Sequence, residues 1–307
     1  MTKKNSSPEK SRFSAVLLAL LVTFLWASSF ILIKFGLQGG IPPITFAGLR
    51  YSLAFLCLLI LVLFNPTHRS AFRSISHAMW MKLILLGILF YSITQGANFI
   101  SLSLLPANTV SLIYNFGPFF IALASGLITK EKPSRVQWMG VLLSMSGALV
   151  YFLPLENSTG EILGYVAAVI SVMAYAISSL LGRQVNLHSG LSPIVVTTIS
   201  MGVGGLLLFI SGGLSQGFGQ LDLTQWLIIG WLAVVNTAFA FTMWNKTLRT
   251  LNAVEASLIN NTILIQVAIL SWLFLDDSLN LKQFFAMLLV ITGMIIVQIR
   301  GQSPRNL

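Results

Sequence analysis

Apolar stretches of roughly 20 residues recur from one end of the chain to the other, separated by short polar segments. An α-helix of that length crosses about 30 Å of hydrocarbon, so each stretch predicts a membrane-spanning helix. Ten stretches fit this length: about 13–34, 44–64, 82–103, 107–128, 135–153, 161–182, 191–211, 225–246, 253–275 and 281–299.

The composition agrees with this pattern. Of 307 residues, 56% are hydrophobic and only 8% are charged, whereas about a quarter of the residues in a soluble domain are charged. Ten helices use most of the chain and leave no room for a soluble domain. The first apolar run follows a basic tail, as in a signal peptide. Because it is longer than a typical signal core and ends in Lys34 without a clear cleavage site, we interpret it as the first span.

The basic residues predict the orientation of the helices. With the amino terminus inside, fifteen Lys or Arg residues lie in inner segments and three lie outside, namely Lys34, Arg50 and Lys282. This asymmetry follows the positive-inside rule and predicts that both termini are cytoplasmic. The net charge of +10 is then an insertion signal. A nucleic-acid footprint would gather its basic residues on one face, so no nucleic-acid partner is expected.

The chain repeats itself weakly at an offset of 146 residues. LPANTVSLIYNFG (105–117) aligns with LNAVEASLINNTI (251–263), which places Asn115 on Asn261 and matches two Ser-Leu-Ile triplets. Each half then holds five spans, and an odd number turns the second half upside down in the membrane. Such inverted repeats are typical of transporters with a site at the junction of the halves. The alternative is a duplication that serves stability alone.

The predicted fold class is therefore an all-α integral membrane protein, with ten transmembrane helices as two inverted five-helix repeats, N-in and C-in. A cytoplasmic basic tail (1–12) precedes the first repeat (13–153), and a periplasmic linker (154–160) leads to the second repeat (161–299) and a cytoplasmic tail (300–307). We expect a multi-pass protein of the cell inner (plasma) membrane, in contact with the lipid bilayer and a small-molecule substrate. The oligomeric state stays open and includes a monomer.

Two segments resemble a known family. LWASSFILIKFGLQGGIPPITFAGLRYSLAF (25–55) and NAVEASLINNTILIQVAILSWLFLDDSLNLKQFFAMLLVITGMII (252–296) are similar to the two repeats of EamA-type members of the drug/metabolite transporter superfamily. The similarity spans about residues 14–299. The family often has proline where this chain has Leu264, and a Gly-Glu pair in place of Asp276-Asp277. The resemblance implies a ten-helix carrier of small metabolites, often an exporter of amino acids or related compounds, and names no cargo.

Two helices matched by the repeat carry similar polar stripes. At 100° per residue, the fourth predicted helix has Ser111, Tyr114, Asn115, Pro118 and Ser125 on one arc, and the ninth has Ser257, Asn260, Asn261 and Ser271 on the equivalent arc. We interpret the asparagines as walls of a central cavity, because amides are costly to bury unmatched in a membrane. For the serines we favour hydrogen bonding between helices. Pro118 would free the carbonyl of Tyr114, either for a ligand or simply in a packing kink.

Other predicted helices add aromatic rings beside amides, a mixture that suits a small amphipathic solute. Aromatic residues near span ends are more often interface anchors, which is our interpretation of Trp80, Trp138, Trp226 and Trp231. The predicted substrate-binding residues are Trp26, Ser29, Tyr91, Gln95, Asn98, Tyr114, Asn115, Tyr175, Ser178, Asn236, Trp244, Asn260 and Asn261.

Ionisable residues are expected near the helix ends. Glu255 is the one carboxylate inside a predicted span, one turn from the inner boundary, where it gates the path or caps its helix. With Thr262 and Gln266, it lies on a face that we expect to pack, cap or gate. Lys34 and Arg50 lie towards the outer ends of their helices, so no deep cation for a phosphate ligand is expected. The three histidines fall in inner loops and Cys57 is the only cysteine, so we expect no metal, cofactor or disulfide.

The predicted function is a secondary transporter of a small polar or amphipathic metabolite, with export of amino acids or related compounds as the leading cargo. The alternative is a carrier of a vitamin, nucleotide-sugar or other organic anion in the same fold. A channel is a weaker alternative. We expect no enzyme, since buried histidines and paired carboxylates at helical spacing are absent from the sequence.

Overall fold

The computed structural model describes residues 8–73, 75–105, 107–114, 116–128, 134–152, 162–274 and 280–300. Helices account for nearly all of this part, and two of them contain π-helical segments, π1 (Gly87–Thr94) and π2 (Val234–Phe239). The α-helices are α1 (Pro8–Gln38), α2 (Pro43–Phe64), α3 (Pro66–Arg73), α4 (His77–Leu86), α5 (Gln95–Leu104), α6 (Ala107–Tyr114), α7 (Gly117–Ile128), α8 (Arg135–Phe152), α9 (Ile162–His188), α10 (Pro193–Ser215), α11 (Leu223–Ala233), α12 (Ala240–Thr247), α13 (Ala253–Asn260), α14 (Thr262–Phe274) and α15 (Leu281–Arg300).

Six helical segments are long and apolar enough to cross a membrane: Arg12–Gln38, Pro43–Phe64, His77–Leu104, Ile162–His188, Pro193–Ser215 and Leu223–Thr247. Shorter apolar helices follow at Leu258–Leu270 and Phe284–Gly293. Many large apolar side chains on these helices are exposed, as expected where the surrounding solvent is lipid. The chain is therefore a multi-pass membrane protein. The count of ten spans and their orientation stay predictions.

Several helices are longer than the apolar stretches that predicted them. The first helix runs from Pro8 to Gln38, and the helix predicted from residue 161 continues to His188. Hydropathy identifies only the segment of a helix that lies in the hydrocarbon. Polar residues that flank this segment can continue the same helix. Helix α3 is a short helix in a predicted loop and was not predicted.

Irregular features recur at similar places in the two halves. The segments π1 and π2 begin 147 residues apart, at Gly87 and Val234. Within them the hydroxyl groups of Thr94 and Thr237 each donate to the carbonyl five residues earlier, at 2.8 and 2.6 Å, which supports the wider π turn. Helices α6 and α13 end 146 residues apart, at Tyr114 and Asn260. These recurrences favour duplicated halves.

Two helix pairs join the halves through glycine. Between α2 and α10, a Cβ atom on Gly48 would lie 2.6 Å from the backbone of Phe209. Between α8 and α15, a Cβ atom on Gly293 would lie 2.5 Å from the carbonyl oxygen of Gly140, and Ser144 donates across the contact to the carbonyl of Val290 at 3.3 Å. Small residues of this kind allow membrane helices to approach closely. The halves therefore interlock around a shared interior.

Candidate functional site

A cavity lies in the shared interior, between helices of both halves. About 750 Å³ within it is not filled by protein atoms, including open solvent at its mouth. Its wall is formed by α1, α2, π1, α5, α6, α9, α12, α13 and α14. Trp26 and Tyr175, near the middle of α1 and α9, are among its lining residues.

Most of the predicted substrate-binding residues meet at this cavity. Asn115 and the side chain of Pro118 lie outside the described residues. Four others stand behind the wall or away from it: Tyr91, Ser178, Asn236 and Trp244. The eight that line the cavity are Trp26, Ser29, Gln95, Asn98, Tyr114, Tyr175, Asn260 and Asn261.

The two asparagines of the second half enter the wall through a broken helix. Helix α13 ends at Asn260, Asn261 forms a turn, and α14 begins at Thr262. Short i→i+3 bonds close the break, from Asn261 N–H to the carbonyl of Leu258 and from Leu264 N–H to that of Asn261, both at 3.1 Å. Broken helices that line a cavity are a known device of transporters, because they free polar groups for a ligand.

Three buried polar atoms of the cavity wall have no hydrogen-bond partner among the described residues. They are the indole nitrogen Nε1 of Trp26 and the amide oxygens Oδ1 of Asn98 and Asn260. A buried polar group left unpaired costs about 1–3 kcal/mol. One donor and two acceptors at a single cavity therefore fit a polar ligand.

Aromatic rings form the rest of the wall. The ring centroid of Phe241 lies 4.8 Å from that of Trp26 and 5.4 Å from that of Phe90, while Tyr114 and Tyr175 lie 6.2 Å apart. Offset and tilted rings at these distances stabilise one another and offer a stiff apolar surface. Such a surface suits the apolar body of a small amphipathic molecule.

The predicted residues that stand away from the cavity support its wall. Trp244 packs on Trp26 with ring centroids 5.0 Å apart, and Tyr91 packs on Phe241 at 5.2 Å. Ser178 donates within its own helix, to the carbonyl of Tyr175 at 2.9 Å. The amide nitrogen of Asn236 donates to Ser28 and Ser29 in α1, at 2.9 and 3.1 Å. Trp244, Tyr91 and Asn236 therefore join neighbouring helices, whereas Ser178 bonds within its own helix.

Arg50 corrects our expectation that no cation lies deep in the protein. Arg50 lies about two turns after the start of α2. It is only 3% exposed and forms part of the cavity wall. The Nε group donates to the hydroxyl of Thr237 at 2.7 Å. The Nη2 group makes two longer contacts of 3.4 Å, with Ser29 Oγ and the carbonyl of Asn236. The sequence did carry a signal for this position: Arg50 is the one charged residue in a mostly apolar helix that follows Pro42-Pro43.

Glu255 lies at the end of the bundle where α13 begins, and it caps that helix and contacts α1. Its carboxylate accepts from the backbone N–H of Asn252 at 3.0 Å, while its own N–H donates to Asn252 Oδ1 at 2.8 Å, a capping box at the start of α13. The same carboxylate forms an ion pair with Arg12 of α1. Nearby, Arg183 donates to the backbone carbonyls of Leu248 and Leu251. These contacts tie helices from both halves together at this end.

The second polar face of the broken helix packs on α1. The hydroxyl groups of Thr23 and Thr262 lie 3.2 Å apart, and the amide of Gln266 donates to Thr23 at 3.1 Å. This face is therefore a contact between helices.

Comparison with known proteins places these features in a family context. The model of the EamA-like transporter family matches residues 13–153 and again 162–299. An S-adenosylmethionine/S-adenosylhomocysteine transporter of Chlamydia muridarum (strain MoPn / Nigg) is 25% identical over 293 residues, covering 91% of this chain and 90% of that protein. A probable amino-acid metabolite efflux pump of Escherichia coli (strain K12) is 23% identical over 291 residues, covering 91% and 93%. A crystal structure with 16% sequence identity shares the fold, with a TM-score of 0.76 over 95% of this chain and 100% of that one.

Proposed function

This chain belongs to the EamA-like transporter family, and from that premise we propose that it is a secondary carrier of amino acids or closely related metabolites, working in the direction of export. The proposal includes ten spans in two inverted repeats, both termini in the cytoplasm, and alternating access to one central cavity in the cell inner membrane. The two family matches, one for each half, support the duplication on which alternating access depends.

The observation that carries the choice of cargo is the mixed wall of the cavity. The unpaired amide oxygens of Asn98 and Asn260 are acceptors suited to an ammonium group. The rings of Trp26, Phe90 and Phe241 suit an apolar side chain. An amino acid presents both kinds of group. The relatives point the same way, since S-adenosylmethionine is itself an amino acid derivative and the efflux pump is named for amino-acid metabolites.

The contacts around Glu255 support a gate at the cytoplasmic entrance to the cavity. In the proposed orientation Arg12, Arg183 and Glu255 lie at the cytoplasmic end. Their bonds join α1 to α13 and α9 to the loop after α12. Export requires the cargo to enter from the cytoplasm, so these contacts must open and close in each cycle.

The organic-anion alternative keeps a specific observation in its favour. An anionic ligand needs a cation deep in the protein, and the buried Arg50 lines the cavity. Vitamins and nucleotide-sugars therefore belong in any panel of cargo.

The test is counterflow in proteoliposomes containing the purified protein, with labelled L-methionine, L-phenylalanine, S-adenosylmethionine and an organic-anion panel. We expect saturable exchange of at least one amino acid compound. Asn98→Ala and Asn260→Ala should lower that exchange about tenfold, the effect of one lost hydrogen bond to a charged group, and the exposed Thr292→Ala should not. Unsaturable flux would indicate a channel, and saturable exchange of organic anions alone would favour the alternative.

A further inference from the structure

We infer that Arg50 is the residue that binds the carboxylate of the cargo, so that the cavity selects compounds with a free carboxylate over the corresponding amines. This inference rests on the proposed function, and it adds a specific residue and a chemical requirement to it.

The charge of Arg50 is buried without a compensating anion in the described part of the chain. The residue is 3% exposed, and its hydrogen-bond partners are hydroxyl and carbonyl groups, all uncharged. Both acidic side chains described in detail are engaged elsewhere. Asp222 caps α11, and Glu255 pairs with Arg12. Burying a cation is expensive unless an opposite charge accompanies it, so an anionic group brought into the cavity gains a partner that has already lost its water.

The guanidinium is held in a way that leaves part of it for a ligand. Thr237 binds Nε at 2.7 Å, and Tyr51 lies beneath the group, with its ring centroid 5.2 Å from the Arg50 carbon Cζ. The Nη2 contacts are long, at 3.4 Å, and within the described residues Nη1 has no hydrogen-bond partner. The two terminal nitrogens of a guanidinium match the two oxygens of a carboxylate. The Arg50 guanidinium on the cavity wall therefore fits a carboxylate.

The neighbours of Arg50 do not depend on it for their own hydrogen bonds. Thr237 donates its hydroxyl proton to the carbonyl of Leu232 at 2.6 Å, and Ser29 donates to that of Leu25 at 3.2 Å. Each would keep a partner if the guanidinium were removed. A purely structural role for Arg50 would instead predict that the fold needs this charge.

A carboxylate is favoured over a phosphate by charge balance. Arg50 is the only charged residue among the described residues that line the cavity. One guanidinium neutralises one carboxylate, whereas a phosphate monoester carries close to two negative charges at neutral pH. The acceptor oxygens of Asn98 and Asn260 then serve the ammonium group of the same molecule.

The inference is tested with pairs of probes that differ only in the carboxylate. We would measure equilibrium binding of L-methionine against 3-(methylthio)propylamine, and of S-adenosylmethionine against its decarboxylated form, to the purified full chain. Glycerol 3-phosphate separates a carboxylate site from a general anion site. The wild type should prefer the carboxylated member of a pair by at least about tenfold, because a charge-assisted hydrogen-bonded pair exceeds 1.4 kcal/mol.

Three variants locate the effect. Arg50→Gln should abolish the preference, Arg50→Lys should keep part of it, and Lys282→Gln, which removes the same charge from an exposed position, should leave it unchanged. The melting temperature of Arg50→Gln should equal or exceed that of the wild type, since an uncompensated buried charge is removed.

The outcomes separate the two proposals. Equal binding of both members of a pair by the wild type, or an unchanged preference in Arg50→Gln, overturns the role of Arg50 and leaves a carrier of amines or neutral solutes. A melting temperature of Arg50→Gln well below that of Lys282→Gln assigns Arg50 to the fold and also overturns it. Binding of glycerol 3-phosphate with no amino acid compound overturns the proposed cargo, and the carboxylate site with it.

Discussion

The ion pair between Arg12 and Glu255 makes an unequal prediction for its two partners. The Glu255 side chain is 2% exposed, while that of Arg12 is 26% exposed. Replacing Arg12 by glutamine leaves a buried carboxylate whose remaining described bond is to the N–H of Asn252. Replacing Glu255 by glutamine removes the buried charge and keeps a side chain that can complete the capping box. Arg12→Gln should therefore be the more damaging change.

The magnitudes follow from this asymmetry. Breaking a buried ion pair by removing one partner costs about 3–5 kcal/mol. Because Arg12 is about a quarter exposed and partly screened, we expect about 2–3 kcal/mol for Arg12→Gln. Glu255→Gln should cost about 1 kcal/mol, the value of one ordinary hydrogen bond. The double variant has no carboxylate that could be left buried and unpaired, so its stability should resemble that of Glu255→Gln. The coupling energy between the two positions should be about 2 kcal/mol.

The assay is a double-mutant cycle on the purified protein in detergent, followed by thermal unfolding. The exposed Lys82→Gln serves as a control for loss of one positive charge. The four variants should rank with Arg12→Gln lowest and the double variant near Glu255→Gln. Equal losses in the two single variants, or losses that simply add in the double variant, would show that the two charges are not coupled.

Three further predictions concern packing and the cavity. Gly293→Leu should separate α15 from α8, because the added Cβ meets a facing carbonyl oxygen at 2.5 Å. We expect the free energy of unfolding to fall by more than about 3 kcal/mol in thermal unfolding. Gly230→Leu should cause no such loss, since its added Cβ has no atom within 4 Å. Asn236→Ala removes three amide hydrogen bonds to α1 and should lower stability by about 2 kcal/mol, whereas Asn98→Ala should weaken cargo binding with an unfolding temperature near that of the wild type. Trp26→Phe keeps a smaller aromatic ring and loses the unpaired N–H, so binding of L-methionine should weaken about fivefold. Unchanged binding would exclude that N–H from the site.

Much of the fold could be predicted because hydropathy and charge act locally. Each apolar stretch corresponds to helical structure in the described residues, since a backbone in lipid must satisfy its hydrogen bonds within the segment. The π-helical segments were not predicted. Within them Thr94 and Thr237 bond to carbonyls five residues earlier, and a threonine in an apolar run does not by itself reveal which carbonyl it will bond to.

The candidate site was predictable in part for a similar reason. The repeat placed Asn260 on one helical face with Asn261, and both reach the cavity. Asn236 carries the same amide and has the same apolar surroundings in sequence, yet it bonds to α1. Which amide meets the cavity depends on the neighbouring helix.

The sequence alone determined that this chain is a membrane protein of helices in two related halves, because length, hydropathy and the repeat are properties of short segments. Only the tertiary structure decided where Arg50 lies. Depth counted along α2 placed it near an outer end, but its surroundings come from Ser29 and Thr237, which are 21 and 187 residues away in the chain. A buried charge is stabilised by what surrounds it in space, and that is set by how distant helices pack.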